Sequence, residues 1–183
     1  VERAHADLAP ASLSLAVGRL HDASSNRSPL SFAQNPEAER AHFPDKIDPQ
    51  TTLLRIERDG RLVGVVNWFA THGTSLTNRN TLISGDNKGY AAYQCERLDH
   101  GVDYLAATPP DFIAAFAQTN SGDMSPNLNH RPGSGPTEDE FENTRIIGSR
   151  QAAAATELTL GHGTEVTGGL DARTTYVDLT DFE

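Results

Sequence analysis

The 183 residues contain one cysteine, one methionine and one tryptophan, and lysine occurs only at Lys46 and Lys88. A lone Cys95 excludes an internal disulfide framework and assigns no redox compartment. No apolar run approaches the ~20 residues that a membrane-spanning helix requires. Basic charge is also short, with 15 Lys and Arg against 25 Asp and Glu, for a formal net charge of -10. That balance excludes a nucleic-acid partner, because binding phosphates needs a basic surface. It leaves neutral and lipid substrates open. Thirteen of the fifteen basic residues are arginine, a compositional skew that gives no individual arginine weight.

What is present fits a folded chain: 37% hydrophobic and 22% charged residues, at a length that suits one domain with its own core. Val1 opens the chain without a leader-like apolar stretch, and the last residues stand inside a strand-like alternation. Both ends therefore suggest a piece of something longer.

Residues 12–17 alternate apolar and polar, as a strand does. A polar loop, residues 21–29, carries Asn26-Arg27-Ser28-Pro29, where Arg27 reads on local evidence as a surface residue, with a planar donor fork aimed into a site as the alternative. Asn35-Pro36-Glu37 has the form of a helix start, with Asn at the N-cap and the helix ending near Phe43. Residues 51–56 and 62–69 flank Asp59-Gly60, which predicts a β-hairpin, and the second strand is apolar on both faces and therefore central. Ser84 or Asp86 is placed to cap a helix running to about Leu98, with Ala91, Cys95 and Leu98 on one face. Gly89 in its first turn implies a close neighbour, and Cys95 is a small core residue. Glycines 85 and 89 lack the spacing of a phosphate cradle. Residues 129–136 form a Gly- and Pro-rich surface loop. Thr137 and Glu140 then have capping-box spacing for a helix to about Leu158, and residues 170–178 alternate as a last strand. Strands interleaved with helices predict an α/β fold with a mixed β-sheet and flanking helices.

The chain is organised around residues 112–127. An apolar run, residues 112–116, reads as a buried strand that breaks at Asn120-Ser121-Gly122. Gly122-Asp123-Met124-Ser125-Pro126-Asn127 follows, so the Ser125 hydroxyl stands at a strand's carboxyl edge, where α/β sheets place ligands. Pro126 restrains Ser125, and Asp123 is placed to accept backbone N–H groups across the turn. On this stretch alone a plain Asx-type turn that ends a core strand is the more economical reading. His72 lies just past the central strand, beside Gly73 and among hydroxyl residues, where it reads either as a hydrogen-bonded structural residue or as a metal ligand.

Taken together, Asn26-Arg27-Ser28-Pro29, residues 67–75 (Asn-Trp-Phe-Ala-Thr-His-Gly-Thr-Ser), residues 83–90 (Ile-Ser-Gly-Asp-Asn-Lys-Gly-Tyr) and residues 122–127 resemble the neutral ceramidase family over nearly the whole chain. The resemblance implies a zinc-dependent amidohydrolase that cleaves ceramide into sphingosine and a fatty acid. By motif match it implies Ser125 as nucleophile, His72 as one zinc ligand and Arg27 as an active-site arginine, with Asp123 the acid of the serine motif. Met124 stands where valine is usual, a change compatible in volume. The family's other zinc ligands, a His-x-His histidine and a downstream Glu and Tyr, are absent from this sequence, as is the C-terminal β-sandwich domain. The resemblance therefore implies an internal segment of a catalytic domain, inactive by itself, whose zinc site is completed by the rest of the polypeptide. It also implies a sphingolipid substrate, peripheral contact with membranes and a secreted or outward-facing location.

Two other classes stay open on the residues alone. One is a catalytically silent lipid-binding module of the same fold. The other is a metal-free serine hydrolase with His21 or His72 as base, against which the lack of a Gly-x-Ser-x-Gly elbow counts. His5, His42, His100, His130 and His162 are expected to be solvated or structural.

Overall fold

A computed structural model describes residues 2–161, 163–169, 171–178 and 180. The tightest local signal sets the frame. Asp59 and Gly60 both take positive φ (51° and 73°), the two-residue turn whose twist matches the flanking strands, and they join β3 (Gln50–Arg58) to β4 (Arg61–Phe69). β1 (Ser12–Arg19) lies antiparallel to β3 on the other side and in turn carries β7 (Thr164–Val166). β5 (Ile113–Ala117) adds to β4 in parallel, so the order is β5-β4-β3-β1-β7, a mixed sheet. As expected, β4 is internal. β5 instead stands at the edge, with Ile113 54% exposed, because its second neighbour is missing among the described residues.

Cross-strand register sorts the side chains into two faces. Leu53, Val65 and Ala114 point to one side and pack with Ala91, Cys95, Phe112, Ala152 and Ala155 as the main core. The helices on that side are α4 (Asp86–Tyr93), which continues as a π-helical segment over Gln94–Asp99, and the long α5 (Glu140–Leu160). The two helices meet at Gly148, where an added Cβ would lie 2.6 Å from the Asn87 carbonyl oxygen and 2.8 Å from Tyr90 Cβ. The opposite face aligns Leu15, Leu54, Val66 and Ala115 in one row, with Val17, Thr52, Trp68 and Ala117 in the next. Both faces of this sheet are apolar, and the helices cover one. The remaining short elements are α1 (Glu2–Ala6), α2 (Pro29–Phe32), α3 (Glu37–Arg40) and a two-stranded ribbon of β2 (Ser25–Asn26) with β6 (Met124–Ser125).

Several expectations are corrected. Pro36, not Asn35, occupies the N-cap of α3, which spans four residues. Asp139 caps α5 by accepting the N–H groups of Phe141 (2.9 Å) and Glu142 (3.1 Å). Glu140 is thereby released from the capping-box role and accepts the Thr77 N–H. Neither Ser84 nor Asp86 is the N-cap of α4; Gly85 is. π-Helical winding shifts the phase after Tyr93, so Cys95 stays buried while Leu98 turns outward. A Cβ on Gly89 would meet nothing, whereas one on Gly85 would lie 2.9 Å from Gly89 Cα. Loop residues Gly133, Ser134 and Gly135 are buried, not superficial. No strand occurs within 171–178, while Leu170, Leu179 and His162 lie outside the described residues.

Candidate active site

The site forms where the carboxyl end of β4 meets the β2–β6 ribbon. Beyond Phe69 the chain leaves the sheet through buried Ala70 and Thr71, and the Thr71 hydroxyl donates to the Ala23 carbonyl at 3.1 Å. His72 comes next and is held by β6. Its backbone N–H donates to the Met124 carbonyl at 3.0 Å, and its ring Nδ1 lies 2.8 Å from the same oxygen. A carbonyl only accepts, so Nδ1 carries a proton, and in the neutral ring the free lone pair belongs to Nε2. The loop after His72 wraps around Asp86, whose carboxylate accepts the N–H groups of Ser75 (3.0 Å) and Leu76 (2.8 Å). Asp86 takes positive φ (53°) as the first residue of α4.

Ser125 is 7% exposed and stands in β6 opposite Ser25. The Asn127 N–H donates to its Oγ at 3.1 Å, the short Ser-x-Asn turn that Pro126 favours. That bond occupies one lone pair of the hydroxyl and leaves its proton free to be given up. The Ser25 hydroxyl donates to the carbonyls of Ser125 (3.3 Å) and Asn127 (3.2 Å), which pins the turn to β2. Arg27 follows β2, anchored through its backbone N–H to the Asp123 carbonyl at 2.8 Å, with its side chain exposed.

Arg27, His72 and Ser125 line one cavity of about 480 Å³, with Thr74, Asn127 and His130 also on its wall. Asp123 is not among its lining residues. Its carboxylate accepts the Asn26 side-chain amide at 2.8 Å, and it borders a separate, smaller cavity with Phe32 and Phe43. The structure thus brings three of the four sequence candidates together and gives the fourth a bond that aligns the ribbon. His21 pairs with Asp45 at 3.2 Å, outside the cavity that holds Ser125. His100 stacks on Phe112 at 3.7 Å between centroids and contacts the Cys95 carbonyl through Nδ1 (2.7 Å), a structural histidine as expected. His130, expected to be solvated or structural, is exposed and also lines the cavity. Asn127, the last residue of the serine motif, has no role by residue type alone, although its place two residues after Ser125 is the signature of a turn closing on the hydroxyl.

Among the described residues no three His, Cys, Asp or Glu side chains gather as a metal-binding group. His72 nevertheless has the pattern of a ligating imidazole: one nitrogen is fixed by a carbonyl, and the residue lines a cavity. One ligand position fits zinc. The others are not supplied by these residues.

A family profile described as neutral/alkaline non-lysosomal ceramidase, N-terminal, matches residues 1–183. The chain is 57% identical over 180 residues to a neutral ceramidase of Mycobacterium tuberculosis, covering 98% of this chain and 28% of that protein. It is 48% identical over 181 residues to a neutral ceramidase of Pseudomonas aeruginosa, covering 98% of this chain and 26% of that one. A solved ceramidase complexed with C2 superposes with a TM-score of 0.81 at 48% identity, over 93% of this chain and 25% of that chain. The chain spans about a quarter of the length of the relatives it matches. By sequence over its whole length, and by fold over nearly all of it, the chain belongs to the neutral/alkaline non-lysosomal ceramidase family.

Proposed function

We propose that this chain is part of the catalytic region of an enzyme that hydrolyses the amide bond of ceramide, with Ser125 as nucleophile, His72 as a zinc ligand and Arg27 as the oxyanion or head-group donor. The observation that carries the reading is the meeting of Ser125, His72 and Arg27 on the wall of one cavity, each delivered by a different segment. Relatives that are named neutral ceramidases support the substrate class.

Hydrolysis breaks the amide C–N bond, sends the acyl group to a carboxylic acid and returns a proton to the leaving amine. A serine hydroxyl is a weak nucleophile unless its proton is withdrawn. Here the Asn127 N–H donates to Oγ and favours negative charge on it as the proton leaves. Arg27 offers planar N–H donors, always charged, for an oxygen that becomes anionic in the transition state. His72, held in one tautomer by the Met124 carbonyl, acts as a ligand and not as a base, so no Ser-His-Asp triad is needed. When bound, zinc supplies Lewis acidity toward the amide carbonyl and acidifies a coordinated proton donor at neutral pH. The remaining ligands are assigned to other parts of the longer protein, and the isolated chain is accordingly inactive.

The test is turnover of a fluorogenic ceramide by a full-length protein carrying this chain, as wild type and Ser125→Ala, with and without a zinc chelator. Activity lost in both treatments is the expected result. Unchanged turnover in Ser125→Ala would remove the nucleophile assignment, and lipid binding with no turnover in wild type would leave a silent binding module.

A further inference from the structure

Beneath the His72 loop lies a row of buried polar side chains that the chemistry above does not use. Asn87 is 0% exposed and Gln151 1%, both between the helices and the sheet. Lys88 Nζ donates to Gln151 Oε1 at 3.1 Å and to the Phe69 carbonyl at 3.1 Å. Gln151 Nε2 donates to Asn87 Oδ1 at 2.9 Å. Asn87 Nδ2 in turn reaches Asp86 Oδ1 (2.9 Å), Ser75 Oγ (3.1 Å) and the His72 carbonyl (2.9 Å).

The direction of this row is determined at both ends. A lysine ammonium only donates and a carboxylate only accepts. Gln151 must therefore turn its oxygen to Lys88 and its NH₂ to Asn87, which forces Asn87 to turn its NH₂ toward His72. A hydrophobic filling would bind α4 and α5 to the sheet with no buried polar groups to satisfy. The polar row instead branches onto the cavity loop. His72 is thus gripped through its N–H and ring by β6 and through its carbonyl by α4.

We propose that Asn87 and Gln151 are positioning residues for His72, an ordered amide relay that sets the direction of its ring from between the helices and the sheet. The activity readout rests on the zinc-amidase reading; the spectroscopic one does not. The experiment uses a full-length protein carrying this chain, labelled with ring-¹⁵N histidine, with the His72 signal identified by its loss in His72→Gln. Wild type is compared with Asn87→Ala and with Gln151→Glu, in which a carboxylate faces Asn87 Oδ1 and drives that amide to flip. The expected result is a single Nδ1–H tautomer for His72 in wild type and mixed or broadened signals in both variants. On ceramide, kcat falls by about 10- to 100-fold, as for other outer-shell partners, while KM stays within about 3-fold. An unchanged His72 signal in the variants overturns the proposal, as does a loss of kcat with the wild-type tautomer intact. If Asn87→Ala does not fold, Gln151→Glu decides alone. If wild type never turns ceramide over while the His72 signal still moves in the variants, the relay stands and the amidase reading falls.

Discussion

Asp123 and Ser125 are two residues apart, yet they belong to different cavities, and their substitutions separate cleanly. Ser125→Ala removes the hydroxyl but keeps the backbone pairing of the ribbon. In a full-length protein carrying this chain, the proposed amidase reading predicts a cost of at least about 10³-fold in kcat with a melting temperature within about 2 °C of wild type, measured by ceramide turnover and calorimetry. Asp123→Asn keeps an oxygen for the Asn26 amide, so activity near wild type is expected; a loss of the size seen for Ser125→Ala would restore Asp123 to the chemistry. Arg27→Lys replaces a planar fork with a point charge on an exposed wall. A 10- to 100-fold drop in kcat/KM with unchanged stability is expected, and equal activity would make Arg27 an ordinary surface residue. The residue types left Arg27, His72 and Ser125 with structural readings as well, and the ordered motifs shared with the ceramidase family singled them out; the facing of Asp123 was illegible because it depends on Asn26, 97 residues away.

Helices α4 and α5 act as the platform under the site. The N-cap bonds of Asp139 are expected to contribute about 1 kcal/mol, so Asp139→Ala lowers stability by that much in denaturant titration, whereas Glu140→Gln has no effect through a cap. Gly148→Ala drives a methyl against the Asn87 carbonyl and is expected to cost about 1–3 kcal/mol. Burial lowers the Lys88 pKa to about 8. The unfolded chain then holds a proton that the folded chain has released, so stability rises with pH above about 8. The gain approaches about 1 kcal/mol per pH unit near pH 9. There Cys95 begins to oppose it, since burial and then Asp99 and Glu96 push its thiol up to about 11, and the unfolded thiol ionises first. Lys88→Met is expected to flatten the rise between pH 8 and 9; an unchanged slope would assign it elsewhere.

At the scale of the molecule, the outstanding feature is the bare side of the sheet. Val17 (59%) and Ile113 (54%) are exposed there, in line with the apolar rows of β3 and β4. Contiguous apolar patches larger than a few hundred Å² are rare on monomers in solution. The isolated 183-residue chain is therefore expected to bind a hydrophobic dye and to self-associate in analytical ultracentrifugation. Val17→Lys together with Ile113→Lys should reduce both without lowering stability. A monomeric, dye-silent wild-type chain would show that this face is closed in solution.

Local chemistry was readable from the residues. Asp59-Gly60 dictated a hairpin because only residues tolerant of positive φ fit that turn, and the apolar run of β4 dictated an inner strand. Ser125 and His72 were named by the ordered motifs shared with the ceramidase family, because each residue by itself also allowed a structural reading. The tertiary structure decided what those groups face. Ser25 meets Ser125 across about a hundred residues of chain, and one Met124 carbonyl fixes the His72 tautomer. It also decided the caps: Glu140 left its capping box because Thr77, distant in sequence, offered its N–H. Turns and periodicities depend on a few neighbouring dihedral angles, which the sequence specifies locally. A cavity and its hydrogen bonds depend on which distant segments pack side by side, and that is settled by the burial of the whole chain.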